Sequence, residues 1–486
     1  MGTGSGRRTF WLMMAAIFLG NFSAILSSST MVVPLPRLMV LFDTDLSVIQ
    51  WAVTAFTLAT GIAAPTVGYL CGRFGSRRTY IVTLAGFLGT SFLCASAWNV
   101  ETLILFRAVQ GLFAGVIIPV TMTLIYTYVE RREQAFAISM WSMSGVLAPA
   151  CGPTVAGFLV EYVNWQGIFL MNVPISLLAI IISLKFLPKG QEQLEVKKGF
   201  DLLGLVLGTL GTTVLLVAFS FSQAWGIVSV RTLGLAALGA LFIAAFVRRE
   251  LGLAQPLLNF KTFYYKSFAI GSYSNFLITL LLNCSIYLLP LYLQSIRGFN
   301  AVETGLIVLV GPISVAIVSP LVGKLYRRER AKAIALTGLT GMLIGFAMLT
   351  RLDTTTPIAY IMIAIVILES GMGTAKIPAM NYGMEALPKE LSAHGSSITS
   401  WLKQGASAFA VGIITSVVLM RTNSRLLAIG TTGEQAPTEL YNLAYAGGMT
   451  DVFWVALVGV LTFALTLVFC MKPATDDQEK MAQNAA

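Results

Sequence analysis

Long apolar runs alternate with short polar connections from one end of the chain to the other. Each run holds roughly 20 residues, the length a helix needs to cross about 30 Å of hydrocarbon. Fourteen spans are expected, over residues 10–35, 49–70, 79–97, 102–128, 135–160, 167–187, 201–222, 230–247, 267–293, 303–325, 332–350, 357–384, 395–420 and 449–471. Lipid offers the backbone no hydrogen-bond partners, so runs of this length are helices, and the fold class is all-α integral membrane. The opening "GRRTFWLMMAAIFLG" is basic and then apolar without an obvious cleavage site, and reads as a retained first span.

The connections carry the orientation. Those after even-numbered spans contain "GRFGSRR", "ERREQ", "KGQEQLEVKK", "RRELGLAQPLLNFKTFYYK", "YRRERAK" and "LPKELSAHG". Those after odd-numbered spans hold few basic residues, such as Arg231, Arg297 and Arg351. Cytoplasmic loops collect Lys and Arg, which places both termini in the cytoplasm. The longest external connection is expected over 421–448.

Composition narrows the classes. Of 486 residues, 56% are hydrophobic and 11% charged, against roughly 25% charged in soluble chains. The net charge of +10 is spread between spans rather than gathered in one patch, so nucleic acid is not an expected partner. Cys71, Cys94, Cys151, Cys284 and Cys470 show no paired spacing and suggest neither a disulfide framework nor a metal site. The single His394 reads as a structural or loop residue. No P-loop signature is present, so no nucleotide or other cofactor is expected, and the chain reads as no enzyme.

An internal repeat divides the chain. "APTVGYLCGR" at 64–73 matches "SPLVGKLYRR" at 319–328 at Pro65 and Pro320, Gly68 and Gly323, Leu70 and Leu325, and Arg73 and Arg328. Both copies end a span on the cytoplasmic side. The expected organisation is an N-terminal six-helix bundle over 1–190, two inserted helices with their loops over 191–260, and a C-terminal six-helix bundle over 261–486.

Six stretches carry a family resemblance: "GYLCGRFGSRR" (68–78), "RAVQG" (107–111), "GVLAPACGPTVAG" (145–157), "QWAVTAFTLA" (50–59), "WQGIFLMNVPI" (165–175) and "AHGSSITSWLKQ" (393–404). In order and position they resemble the motifs of the fourteen-helix drug:proton antiporter family of the major facilitator superfamily. The resemblance implies two six-helix bundles that rock around a midplane cavity, plus two inserted helices. It implies that Gly68, Gly72, Arg73, Gly75 and Arg77 belong to a loop that latches the halves. Gly72 stands where an Asp is usual, so a latch centred on that charge is not carried over. Gly145, Pro149, Gly152, Pro153 and Gly157 match the antiporter motif, in which small residues let helices approach and prolines bend them. Arg107 is implied in proton coupling. Its plainer reading is an Arg reaching the interface near Glu101.

The first span departs from the family. Its members carry a pattern like "LDxTIVNVALP", while this chain reads "LSSSTMVVPLP" at 26–36. Ser27 stands for the Asp and Val32 for the Asn. A hydroxyl does not exchange protons near neutral pH, so the coupling acid must lie elsewhere or be absent. Glu369 is the one acid deep within a span, about twelve residues into the twelfth. A carboxyl withdrawn from water favours its neutral form and can exchange that proton. Glu369 is therefore the candidate coupling acid, a partner for cationic drugs, or both. Lys376 follows two turns later, roughly 10 Å along the axis, and Lys403 should lie at a similar depth in the next span. The structural alternatives are a static bridge from Glu369 to either lysine, and a buried Glu369 that simply stays neutral.

Substrate-cavity candidates are Asn21, Phe22, Tyr126, Met140, Trp141, Met143, Asn275, Asn283, Tyr287, Asn381, Tyr382 and Trp401. Such sites are apolar and aromatic with a few polar groups, and Met adapts to varied shapes. For each aromatic or Met, packing or lipid contact is the competing reading. The expected activity is proton-coupled efflux of hydrophobic or cationic drugs across a bacterial cytoplasmic (inner) membrane. The rivals are an exporter of a lipid, peptide or metabolite, with or without proton coupling, and a non-transporting sensor or assembly partner. Expected partners are the small-molecule substrate, protons and membrane lipids, with a periplasmic adaptor in a Gram-negative host.

Overall fold

The computed structural model describes residues 4–31, 34–188, 201–220, 222–253, 256–431 and 437–470. The basic connection "KGQEQLEVKK", Val32 and Cys470's C-terminal neighbours lie outside them. The described residues are helical with no strand. Among the described residues, fourteen helices are long and apolar enough to span a membrane. They are Arg7–Ser29, Trp51–Phe74, Ser76–Ala95, Val100–Tyr128, Arg131–Gly152, Gly167–Phe186 and Leu202–Phe219, followed by Val230–Gly252, Lys266–Ile296, Glu303–Leu325, Arg328–Leu349, Ile358–Met384, Lys389–Ala428 and Glu439–Ala464. The chain is a multi-pass membrane protein with an all-helical fold.

Local chemistry sets where spans begin and turn. The fourth opens on a capping box, with Asn99 Oδ1 accepting from the Thr102 amide at 2.8 Å. The tenth opens the same way, Asn300 Oδ1 accepting from the Glu303 amide at 2.9 Å. Such caps satisfy amides that the first turn leaves without partners. Between the second and third spans Gly75 takes φ +80° and ψ +146°, a glycine-favoured region that costs a side-chain-bearing residue about 1–3 kcal/mol.

The chain forms two compact units. The first comprises Met1–Thr213, Gly239–Tyr265 and Leu387–Trp401. The second comprises Val214–Leu238, Lys266–Ala386 and Leu402–Ala486. Within each unit, glycines bring helices together at backbone distance. In the first, a Cβ on Gly115 of the fourth span would stand 2.3 Å from Thr60 O of the second. In the second, a Cβ on Gly371 of the twelfth span would stand 2.6 Å from Met342 N of the eleventh, and one on Gly338 would stand 2.5 Å from Ala375 N. Apolar burial cannot drive helices together within lipid, so close packing of this kind must.

The end of the chain corrects one expectation. The thirteenth span's helix runs Ser392–Ala428 and the last helix runs Thr438–Cys470, so most of the connection expected over 421–448 is helical. Arg425 Nη2 meets Asp451 Oδ1 at 2.9 Å, and Arg421 Nε lies 3.9 Å from Asp451 Oδ2. Hydropathy ends a span at its first charges. Here those charges pair across the two helices, which continue beyond the apolar stretch.

The inserted spans are tied at one end by an ion pair. Arg249 donates from Nε and Nη2 to the Asp201 carboxylate at 2.9–3.0 Å, and the Gly204 amide donates to Asp201 Oδ1 at 3.0 Å. Burial pulls this carboxyl's pKa up, but the bonds from Arg249 and Gly204 prevail and hold it below the usual value. Stability from Asp201 is then present above its unfolded pKa, about 4, and is lost as pH falls through the lower folded one. Asp201→Asn should lower the thermal midpoint at neutral pH, and the gap to wild type should close below about pH 4. A pH-independent gap would contradict this account. Gly371→Ala should cost about 1–3 kcal/mol through backbone collision, whereas Gly89→Ala, with nothing within 4 Å of the added methyl, should not destabilise. Thermal unfolding of the purified variants separates the two.

Candidate functional site

Arg107 lies two turns into the fourth span and is 0% exposed. Its Nη1 donates to Gln110 Oε1 at 2.7 Å and to Ser27 Oγ at 3.0 Å. Its Nε donates to Ala52 O at 3.2 Å, and Nη2 reaches Ser27 O at 3.4 Å. The guanidinium carbon stands 4.0 Å from the centre of the Phe56 ring. Gln110 is held in turn by donating to Ser91 Oγ at 2.8 Å. The cation is thus met by neutral acceptors and an aromatic face, and no carboxylate is among its partners in the described residues. The side chain does not reach for the interface near Glu101. Ser27, standing where the family resemblance expects an acid, contacts the very cation that such an acid would neutralise.

In the second unit Glu369 lies within the twelfth span and is 4% exposed. Its carboxyl rests on Gly311 of the tenth span, where a Cβ would stand 2.4 Å from Glu369 Cδ. Gly311 therefore makes the space the carboxyl fills. Among the described residues Glu369 makes neither hydrogen bond nor ion pair. The static bridge to a lysine is absent. Lys376 and Lys403 are half-buried.

The loop motif is anchored within the first unit. Arg73 Nη1 donates to Tyr69 Oη at 2.5 Å, and Arg77 Nη2 donates to Leu184 O at 2.7 Å. A Cβ on Gly68 would stand 2.3 Å from His394 Nδ1, an atom that also accepts from the Asn259 amide at 3.3 Å. Gly72 lies in the second span and offers no side chain for a latch. In the fifth span, Gly152 lies against Ser29 of the first, where a Cβ would stand 2.3 Å from Ser29 Oγ. Gly157 has nothing within 4 Å, Gly145 has only Ile25 Cδ1 at 3.8 Å, Pro149 is exposed, and Pro153 lies in the same helix.

The cavity candidates scatter. Asn21 Nδ2 donates to Ser144 Oγ at 2.6 Å, while its buried Oδ1 has no partner. Phe22 stacks on Phe18. Trp141 Nε1 donates to Thr121 Oγ1 at 2.9 Å, Tyr126 is buried, and Met140 and Met143 are half-buried. Trp401 Nε1 donates to Thr212 Oγ1 at 2.9 Å and packs on Phe246 and Phe260, tying the thirteenth span to the inserted pair. In the second unit Asn283 Nδ2 donates to Thr279 O at 2.7 Å and to Ser407 Oγ at 3.3 Å. Asn275 is buried with Oδ1 unpartnered, Tyr287 is half-buried, Asn381 donates to Ile377 O at 3.0 Å, and Tyr382 joins the unit's core. Sequence reasoning missed Gln110, Ser91 and Gly311. Gln110 was in view within "RAVQG", but nothing in the sequence marks Gly311 among so many glycines.

Residues 17–411 match the family model described as Major Facilitator Superfamily. The chain belongs to that superfamily. It is 31% identical over 410 residues to the uncharacterized MFS-type transporter YhcA of Bacillus subtilis, covering 84% of this chain and 77% of that one. It is 25% identical to the multidrug export protein EmrB of Haemophilus influenzae, covering 95% and 96%. The solved structure of the proton:xylose symporter XylE shares the fold at TM-score 0.62 and 12% identity, over 98% of this chain and 99% of that one. The expected family and the fourteen-span fold are borne out, and the protein is a transporter rather than an enzyme.

In this facilitator neutral acceptors offset part of the cost of burying the Arg107 cation. A carboxylate added beside it would therefore gain attraction with little new desolvation of the cation. Ser27→Ala should cost about 1.5–3 kcal/mol, the range for hydrogen bonds to charged groups. Ser27→Asp should raise the thermal midpoint of the purified protein above wild type. A midpoint for Ser27→Asp at or below that of wild type would contradict this electrostatic account.

Proposed function

We propose that the protein exports hydrophobic small molecules across a bacterial cytoplasmic membrane in exchange for protons, and that Glu369 carries the proton. The observation that carries this reading is the isolation of the Glu369 carboxyl, buried within the twelfth span without hydrogen bond or counter-ion among the described residues. A carboxyl in such surroundings is free to take and release a proton without breaking a bridge first. Relatives named for multidrug export and for lincomycin resistance support export as the direction. The basic even-numbered connections support cytoplasmic termini. Movement of Gly75, Arg77 and the fifth-span glycines during the cycle belongs to the same reading.

A second reading, export without proton coupling, is favoured by one specific observation. Ser27 gives Arg107 a hydroxyl where the family resemblance expects an acid, so the first unit lacks that proton carrier. Proton release on dye binding, and dye transport in proteoliposomes under an imposed proton gradient, decide between the two. Wild type should release protons and transport. Glu369→Gln should bind dye, release none, and no longer respond to the gradient. Proton release by the folded Gln variant would sink the assignment of Glu369. Transport by wild type that ignores the gradient would favour the uncoupled exporter.

A further inference from the structure

We propose that Asp201 and Glu250 hold one proton between them, a proton-binding site at the ends of the two inserted spans. The site is separate from Glu369 and does not depend on the reading of the protein as an exporter.

Both residues belong to the first unit. Asp201 stands just before the helix of the seventh span, and Glu250 lies in the last turn of the eighth. Asp201 is 9% exposed and Glu250 1%. Gly204 leaves the space in which their carboxyls meet. A Cβ there would stand 2.3 Å from Asp201 Oδ2 and 2.4 Å from Glu250 Oε1. Two oxygens that close on one point lie at most about 5 Å apart, a range in which one carboxylate opposes ionisation of the other.

The donors around the pair decide which carboxyl keeps the charge. Arg249 Nε and Nη2 and the Gly204 amide all donate to Asp201. Glu250 Oε2 accepts from the Leu258 amide at 3.2 Å. Glu250 Oε1 is buried and meets no donor among the described residues. A bare anionic oxygen in that position is costly. A proton on Oε1 removes the charge and supplies the missing bond, because the O–H can donate to Asp201 Oδ2. Asp201 then remains the anion of Arg249, and Glu250 is the acid. Carboxyl pairs share a proton in this way when two charges cannot stand side by side.

No other charge competes for Oε1. Arg248 and Lys261 are exposed, and His394 Nδ1 accepts from the Asn259 amide, one residue beyond Leu258. The second span shares a recess with Gly204 and Leu257 through Gly61, Ile62 and Pro65, none of which titrates. Leu257 and Leu258 are both 0% exposed, so the bond from Leu258 to Glu250 anchors the connection that leaves the inserted pair. Loss of the proton sets two anions beside one Arg249, and their repulsion loosens that anchor. Anchoring therefore weakens as pH rises. The basic connections assign this end to the cytoplasm, so the site fills and empties with cytoplasmic pH.

Infrared difference spectra of the purified full-length protein, taken between about pH 5 and about pH 9, report protonated carboxyls directly. Wild type should carry protonated-carboxyl intensity at neutral pH that Glu250→Gln removes and Glu369→Gln leaves in place. Asp201→Asn removes the opposing anion and frees Arg249, so Glu250 should bind its proton at least about tenfold more weakly and lose it about one pH unit lower. Unchanged intensity in the folded Glu250→Gln protein would overturn the site. A Glu250 signal that titrates at the same pH in Asp201→Asn would overturn the shared proton and leave burial alone as its cause. Should neither variant fold, Glu369→Gln decides. A protonated carboxyl that persists there at neutral pH supports the pair, and its absence overturns it.

Discussion

Everything in this protein answers to the cost of leaving a polar group without a partner away from water. For the backbone the answer is the helix, which bonds every interior amide within its own segment. For side-chain hydroxyls it is the preceding turn. Thr60 bonds Phe56 O, Thr83 bonds Thr79 O, and Ser183 bonds Ala179 O. Groups satisfied this way need nothing from a neighbouring helix, so the helices can pack on glycines, as the eleventh and twelfth spans do through Gly338, Gly345 and Gly371. Ionised groups have no such local remedy. The few that remain deep in the spans are where packing alone does not explain the sequence.

The two units treat those groups differently. Arg107 is surrounded by acceptors from the first, second and fourth spans, with Gln110 as a relay to Ser91 in the third. The result is a neutral cage that knits four helices together around a cation. Glu369 has the opposite setting, a glycine floor and no donor among the described residues. The caged cation is dispersed over many partners and is costly to disturb. The bare carboxyl can change its protonation without rearranging a network. In the mechanism proposed above, this contrast assigns the chemistry that alternates during a transport cycle to the second unit.

The spans were legible in the sequence because hydropathy over twenty residues is a strong, local signal. The last connection was not, because Arg421, Arg425 and Asp451 look like loop charges until their helices bring them together. Arg107 was legible as an unusual residue but not in its environment. Its cage depends on Ser27, eighty positions away, and on the turn of Gln110 toward Ser91. Glu369 was visible by its depth alone, yet its lack of a lysine bridge was not, since Lys376 and Lys403 offered two plausible partners. Which side of a helix a charge faces, and what glycine opposite leaves room for it, are properties of packing that no single stretch encodes.

The serine at position 27 links these observations. With an acid there, Arg107 would have a fixed counter-ion, and that pair would titrate or break as the carboxyl gained a proton. With Ser27, the cluster of Arg107, Ser27, Gln110 and Ser91 contains groups that do not exchange protons near neutral pH. The first unit holds its cation by hydroxyl, amide and backbone oxygen. Proton exchange, in the mechanism proposed for this transporter, must come from another carboxyl at depth, and Glu369 is the carboxyl the twelfth span supplies. In that mechanism, Ser27 in the first span and the unbridged Glu369 in the twelfth answer one electrostatic requirement, a single exchangeable carboxyl at depth.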